Sequence, residues 1–454
     1  MIKSSVYLRI LNIFSNNNIL TYLNYILFIY FFSSILYSYE INALDKTKYA
    51  NDFFQNTLLE KFIQNNDSRI VNYPHSNITN LTNNNEDSIY GQIDAFDNNV
   101  YVVWQESVSK SLPEHNYDIF FTKSEDNGKT FGTPINLSNN TEFSERPQIA
   151  VSKNGIFIVW AETINPNNKE IMFTKSLDNG KTFSNPINLS SNSKDSYNQE
   201  ISAFNENVYV VWQDTDKKNN DINGIIMFKS STNTGNTFNN SIELINNTNS
   251  AFPKINSYDN YVYIVWNNEN KKNSGLFFVK SFDKGNNFDD ITKLSKDSNF
   301  GESQIAVKEN EILVIWGGFL LKNIENIYYV KSSDNGKTFT DATTISEKII
   351  KSNNTNYDTE LNDIIENPMN VEVTSKNFSY IAWQNSFSEQ NEDILLLVDN
   401  QKDNNHTNIL NLSNNPSISE CPSIAISDNN IYVIWEDYVS GNHEILLANL
   451  SIEI

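Results

Sequence analysis

The sequence predicts an all-β fold: a seven-bladed β-propeller of four-stranded antiparallel blades, closed by pairing of N- and C-terminal strands. Three observations carry this. Seven tryptophans recur at near-constant spacing. Each closes a short apolar run that sits in a repeat of about 50 residues, the length of a propeller blade. The last repeat lacks a strand that is found at the start of the series.

The tryptophans are Trp104, Trp160, Trp212, Trp266, Trp316, Trp383 and Trp435, with gaps of 56, 52, 54, 50, 67 and 52 residues. The runs they close read VYVVW, IFIVW, VYVVW, VYIVW, ILVIW, SYIAW and IYVIW. Eleven residues earlier lies Ile93, Ile149, Ile201, Ile255, Ile305 or Ile424. In the sixth repeat Val371 and Val373 stand in that place, with one extra turn residue expected. A constant offset of this kind predicts two paired strands joined by a tight turn, and FDNN, SKNG and SDNN supply the turn chemistry.

After each tryptophan comes a polar stretch and a third strand, such as DIFFTKS or IYYVKS. A fourth follows in most repeats, as in TPINLS and NILNLS. β-branched and aromatic residues dominate these segments, as a pleated core requires. The seventh repeat ends after its third strand. Ile78 to Thr82 resembles the fourth strands and precedes the first blade. Pairing the two ends removes the open edge a ring would otherwise expose.

Between the third and fourth strands the pattern S-x-D-x-G-x-T-F recurs. Its copies start at Ser124, Ser176, Ser231, Ser281 and Ser332 and end at Phe131, Phe183, Phe238, Phe288 and Phe339. The Asp and Ser side chains can accept backbone amides of a tight turn, and the Gly supplies positive φ. The Phe is expected to anchor the turn in its blade. These copies resemble the Asp boxes (BNR repeats) of the sialidase-like β-propeller family, over residues 76–454. The structural residues that the resemblance assigns are Asp126, Gly128, Asp178, Gly180, Asn233, Gly235, Asp283, Gly285, Asp334 and Gly336. The motif is a folding device. It specifies the fold and not an activity.

Sialidases of this family hold a substrate carboxylate with three arginines, and use a Tyr activated by Glu as nucleophile and an Asp as acid/base. Guanidinium forks bind a carboxylate in fixed geometry, and lysine does not replace them well. This chain has Arg9, Arg69 and Arg146, and only Arg146 falls within the repeats. The expectation is therefore a non-sialidase member with no catalytic residues assigned. His75, His115, His406 and His443 show no metal-ligand spacing. A glycosidase using a carboxylate pair on the loop face is the alternative.

The N-terminus differs from the rest. Lys3 and Arg9 precede an apolar run from Ile19 to Tyr37, so residues 1–39 read as a signal peptide or an N-terminal membrane anchor. Residues 40–75 read as a polar stalk and 76–454 as the propeller. Both alternatives for 1–39 place the remainder outside the cytoplasm, secreted or anchored to the cell membrane. The net charge of -22 argues against nucleic-acid partners. Cys421 is the only cysteine, so no intrachain disulfide can form. A monomer is expected.

Ligands are expected on the loop face opposite the S-x-D turns. Two residues past the tryptophan stand Glu106, Glu162, Asp214 and Asp437, a partial acidic ring. It suits a cation such as calcium or a basic partner; equally, the carboxylates cap loop groups. Arg146 is either a single ligand contact or an ion-pair partner of Glu142 or Glu145. Residues 346–367, between blades five and six, add Tyr357, Asp358, Glu360 and Asp363 as loop candidates. No cofactor is expected. Asn136, Asn188 and Asn411 lie in N-x-S/T settings that permit glycosylation. Together these readings predict an exported module that binds a glycan or protein ligand at the loop face.

Overall fold

Each apolar run that ends in tryptophan forms the second strand of a blade, and burial on both faces explains why the run does not alternate with polar residues. In blade one, Val100, Val102 and Trp104 pack with Tyr432, Ile434 and Leu447 of blade seven. Tyr101 and Val103 pack on the other side with Ile156, Ile158 and Trp160 of blade two. Five further clusters of this kind complete the ring, so that one lies between each pair of neighbouring blades. A strand sandwiched in this way needs apolar side chains at every position.

The computed structural model describes residues 69–72, 78–109, 116–165, 168–218, 221–245, 249–268, 274–295, 302–320, 323–344, 369–373, 378–388, 391–400, 407–427, 430–438 and 441–451. The chain divides into two compact units, Met1–Arg69 and Ile70–Ile454. Residues 1–39 and 346–367, with the anchor or signal and the acidic insertion expected there, lie outside the described residues. Among the described residues no helix is long and apolar enough to cross a membrane.

Seven antiparallel sheets are present, and six begin with four consecutive strands in order. Blade one consists of Ser88–Phe96, Asn99–Ser109, Asn116–Ser124 and Ile135–Asn136. Blades two to six occupy 143–188, 195–245, 250–293, 303–344 and 369–411. Blade seven combines Ser419–Ser427, Asn430–Asp437 and Glu444–Ser451 with Ile78–Asn80. Ile78 pairs with Ala448 and Asn80 with Leu446, so the terminal strands close the ring as the sequence predicts. In blade six Val371 lies opposite Ile381, the register held by Ile93 opposite Val102 in blade one. That blade also gains a fifth strand, Arg69–Asn72, beside Thr407–Asn411.

The S-x-D turns have one geometry. In the first, Gly128 N donates to Ser124 Oγ at 2.9 Å, and Ser124 Oγ donates to Asp126 at 2.7 Å. Asp126 also accepts from Thr130 N at 2.9 Å and Thr130 Oγ1 at 2.7 Å. Hydrogen bonds from Thr130 and Ser124 hold the Asp126 carboxyl well below the usual range. The Phe reaches further than the sequence suggests. It packs not in its own blade but edge-on against a third-strand Phe of the preceding blade: Phe183 on Phe121 at 4.9 Å and Phe238 on Phe173 at 5.0 Å. The same Phe173 leaves no room above Gly235, where an added Cβ would lie 2.5 Å from it. With φ of +67 at Gly235, glycine is required twice over. Each turn is thus an inter-blade clasp.

Candidate functional site

The four acidic residues of the partial ring lie at equivalent places, and each accepts the indole N–H of its own tryptophan. Glu106 binds Trp104 Nε1 at 3.0 Å, Ser88 Oγ at 3.1 Å and Asn84 Nδ2 at 2.9 Å. Glu162 does the same with Trp160, Ser144 and Asn140. Asp214 engages Trp212, Ser196 and Asn192. Asp437 takes Trp435, Ser419 and Asn415. Each carboxylate therefore ties the strand that bears it to the blade's first strand and to the preceding loop. Asp214 and Asp437 are 2% and 0% exposed, with their oxygens turned into the protein. This is the capping role. Blade four has Asn268 here, and Trp266 Nε1 is left without a partner.

Asn136 and Asn411 are engaged similarly. Their amides donate to Asp118 and Asp393 at 2.6 and 2.7 Å. Among the described residues no cluster of His, Cys, Asp and Glu could hold a metal ion. Tyr357 and Glu360 lie outside the described residues.

A second constellation lies closer to the axis. The first strands of the seven blades touch in a closed ring and so surround it. Five of them carry a bulge at the loop end, between Ile89 and Gln92, Glu145 and Gln148, Tyr197 and Glu200, Ala251 and Lys254, and Glu420 and Ser423. The first residues of the bulges are Tyr90, Arg146, Asn198, Phe252 and Cys421, and each has φ between 51 and 53. Left-handed backbone costs a bulky L-residue roughly 1–2 kcal/mol and costs glycine little. None of these five left-handed residues is glycine, and their side chains are chemically unlike. Backbone geometry alone does not account for that choice.

The bulge amides are held across blade boundaries by the residue that follows the preceding tryptophan. Arg146 N donates to Gln105 at 3.0 Å, Tyr90 N to Glu436 at 2.6 Å and Cys421 N to Gln384 at 3.4 Å. Arg146 forms no ion pair with Glu142 or Glu145, because Lys169 engages Glu145. Its guanidinium instead lies 5.0 Å from the Tyr90 ring centre. The Arg146 side chain is exposed and has no carboxylate partner among the described residues. Burial raises the Tyr90 hydroxyl, against the opposing pull of Arg146.

Carboxyl groups complete the site. Burial pushes Glu436 up to about 8, so it is mostly protonated at neutral pH. Glu420 faces it directly across the strand pair. Burial, with Glu436, Glu420 and Glu302 nearby, raises the Cys421 thiol well above its ordinary value, which removes it as a thiolate nucleophile. Lys254 and Glu200 pair at 2.6 Å between blades three and four. Glu302, at the start of blade five, acts electrostatically on both.

Sequence reasoning found Arg146 and missed Tyr90, Cys421 and Glu302. A signal existed: all four lie 14 residues before their tryptophan, and proline follows Arg146, Phe252 and Cys421. The bulge gives that offset its meaning, and a bulge is not visible as an apolar period.

No protein-family model matches the sequence, and no curated protein matches it. Solved structures do. A phage phi92 endosialidase superposes with a TM-score of 0.50 at 12% identity, over 83% of this chain and 69% of its own. A protein of unknown function from Dyadobacter fermentans gives 0.49 at 13% identity, over 83% and 100%. An intramolecular trans-sialidase from Ruminococcus gnavus gives 0.43 at 13%, over 80% and 94%. At such identity the likeness to the endosialidase is one of fold alone.

Proposed function

We propose that the chain is an exported binding module that takes a glycan or protein ligand at the axial end of its loop face. One observation carries the reading: five non-glycine residues of different chemistry share one strained backbone conformation around the axis. Strain persists where the surroundings over-determine it, and such residues cluster at ligand sites. The exposed, unpaired Arg146 on the Tyr90 ring is the natural first contact. The N-terminal basic and apolar segment supports export. With Arg146 and the outer-edge Arg69 of blade six as the arginines of the blades, the three-arginine clamp of a sialidase cannot be assembled.

The reading is tested with the full chain on a glycan array, beside an Arg146→Met variant. Ligands bound by the parent and lost by the variant are the expected result. A blank array, or binding indifferent to Arg146, counts against it. Glu436 favours a second reading, a glycoside hydrolase. It is a largely protonated carboxyl directly opposite Glu420 on neighbouring strands, and directly opposed residues have Cβ atoms about 5 Å apart. Turnover of chromogenic glycosides that is lost in Glu436→Gln would establish that reading instead.

A further inference from the structure

We propose that the exported chain carries an N-linked oligosaccharide on Asn139, in the loop that joins blades one and two. The inference rests on the export part of the reading above and is independent of any ligand at the axis.

Transfer to an N-x-S/T sequon needs two groups within reach of the transferring enzyme. The asparagine amide is the nucleophile, and the hydroxyl of the third residue is what the enzyme reads. The amide nitrogen attacks the anomeric carbon of an oligosaccharide carried as a polyprenyl phosphate or pyrophosphate. An N–C bond forms, the C–O bond to the lipid phosphate breaks, the amide gives up one proton, and the lipid phosphate leaves.

The sequons that end the fourth strands do not present both groups. Asn136 donates its amide to Asp118 at 2.6 Å, and Ser138 donates to the same carboxylate at 3.0 Å while accepting Ile119 N at 3.0 Å. Asn411 and Ser413 hold Asp393 in the same way, at 2.7 and 3.0 Å. Asn188 is exposed, but Ser190 donates to Glu170 and accepts Ile171 N at 2.9 Å. Thr82 of the Asn80 sequon likewise donates to Glu444. Asn239 and Asn449 donate their amides to Ser230 Oγ and Asn127 O at 3.1 and 2.6 Å.

Asn139-Asn140-Thr141 differs. It lies in the loop between Ile135–Asn136 and Phe143–Ser152. Asn139 has φ of 41, a left-handed conformation that asparagine tolerates, and its backbone N–H donates to Asn136 Oδ1 at 2.8 Å. Its side-chain amide is exposed and has no hydrogen-bond partner among the described residues. Thr141 is exposed too, with one long contact of 3.5 Å to Glu142. Asn140 between them is pinned: it donates to Glu162 at 2.8 Å and accepts Glu142 N at 2.8 Å. The fold thus holds the middle of the sequon and leaves both functional groups in solvent. Among the described residues no other sequon does so.

The full chain is expressed in a yeast secretory host. The exported, folded fraction is mapped by peptide mass spectrometry after enzymatic removal of N-glycans, which turns each occupied asparagine into aspartate. Asn139 is expected to be occupied in most chains, and Asn136, Asn188 and Asn411 in few. Asn139→Gln and Thr141→Ala should each abolish modification at this sequon, and Thr141→Ser should retain it. All three should keep the parent's melting temperature once glycans are removed, since neither side chain ties the blades together. An exported, folded chain bare at Asn139, or occupancy of Asn136, Asn188 or Asn411 equal to that of Asn139, overturns the proposal and leaves the export reading standing. A chain retained in the cytosol and unmodified overturns the export reading and this inference with it.

Discussion

The two ends of each blade contrast. At one end lie five near-identical turns, in which Ser, Asp (Asn233 in the third) and Gly hold one hydrogen-bond pattern and glycine takes the second of two left-handed positions. At the other lie five first-strand bulges, where the left-handed position is filled by Tyr90, Arg146, Asn198, Phe252 and Cys421. Each turn has two successive left-handed residues: the first is Asn127, Asn179, Thr234, Lys284 or Asn335, and the second, which packs under an aromatic ring, is glycine every time. In the bulges the single left-handed position is never glycine. The turns keep glycine where a Cβ would collide, and the bulges keep a side chain at a position that glycine would relieve.

The contrast can be broken most severely at the turn end. Gly235→Ala introduces a Cβ 2.5 Å from the Phe173 ring at a φ of +67. Left-handed strain and overpacking together should destabilise the protein by roughly 2–4 kcal/mol in denaturant titration. Unchanged stability would mean that the clasp between blades is not closed. Ser124→Ala is milder. It removes the acceptor of the buried Gly128 N–H, and a loss of about 1–3 kcal/mol is expected.

At the loop end the effects are smaller and depend on pH or on ligand. Glu436 is raised from 4.5 to about 8, so folding disfavours its charged form. The contribution of this group to stability is therefore greatest below about pH 4.5, declines as pH rises to about 8, and is level beyond it. Glu436→Gln keeps an acceptor for Tyr90 N and removes the titration. Its melting temperature should match the parent at pH 4 and exceed it at pH 9. A parallel pH profile for the two proteins would refute the burial of that carboxyl. Asn268→Asp gives Trp266 Nε1 the carboxylate acceptor that blades one, two, three and seven possess, with a gain of about 1 kcal/mol expected. The smallest effect is the most informative. Arg146→Gly relieves left-handed strain and should raise stability by about 0.5 kcal/mol while ligand binding is lost. Stability and binding moving together would remove the distinction between the two ends.

Much of this was legible in residue spacing. The seven tryptophans located the blades because every second strand is sandwiched between two neighbours and must be apolar throughout. The Ile at offset 11 located the first strands because it faces the same core. Ile78 to Asn80 was recognisable as the missing strand because it reads like the other fourth strands. The acidic ring was seen, with capping as one of its two readings, but its partners were not. The tryptophan indole, the first-strand Ser and the loop Asn lie 2, 18 and 22 residues away in the chain, and only the folded blade brings them to one carboxylate.

The sequence by itself determined the number of blades, the strand order within each and the closure of the ring. Those follow from short-range periodicity and turn chemistry, which act over a few residues. The tertiary structure decided which charges are free. Arg146 has two carboxylates beside it in sequence and pairs with neither, because the bulge carries its side chain over Tyr90 of the preceding blade. Glu436 follows a tryptophan like Gln105 and Gln384, yet its protonation is set by burial beneath the next blade. Pairing and burial at the axis are properties of the closed ring, in which residues from five or more blades meet, and no local pattern in the chain encodes them.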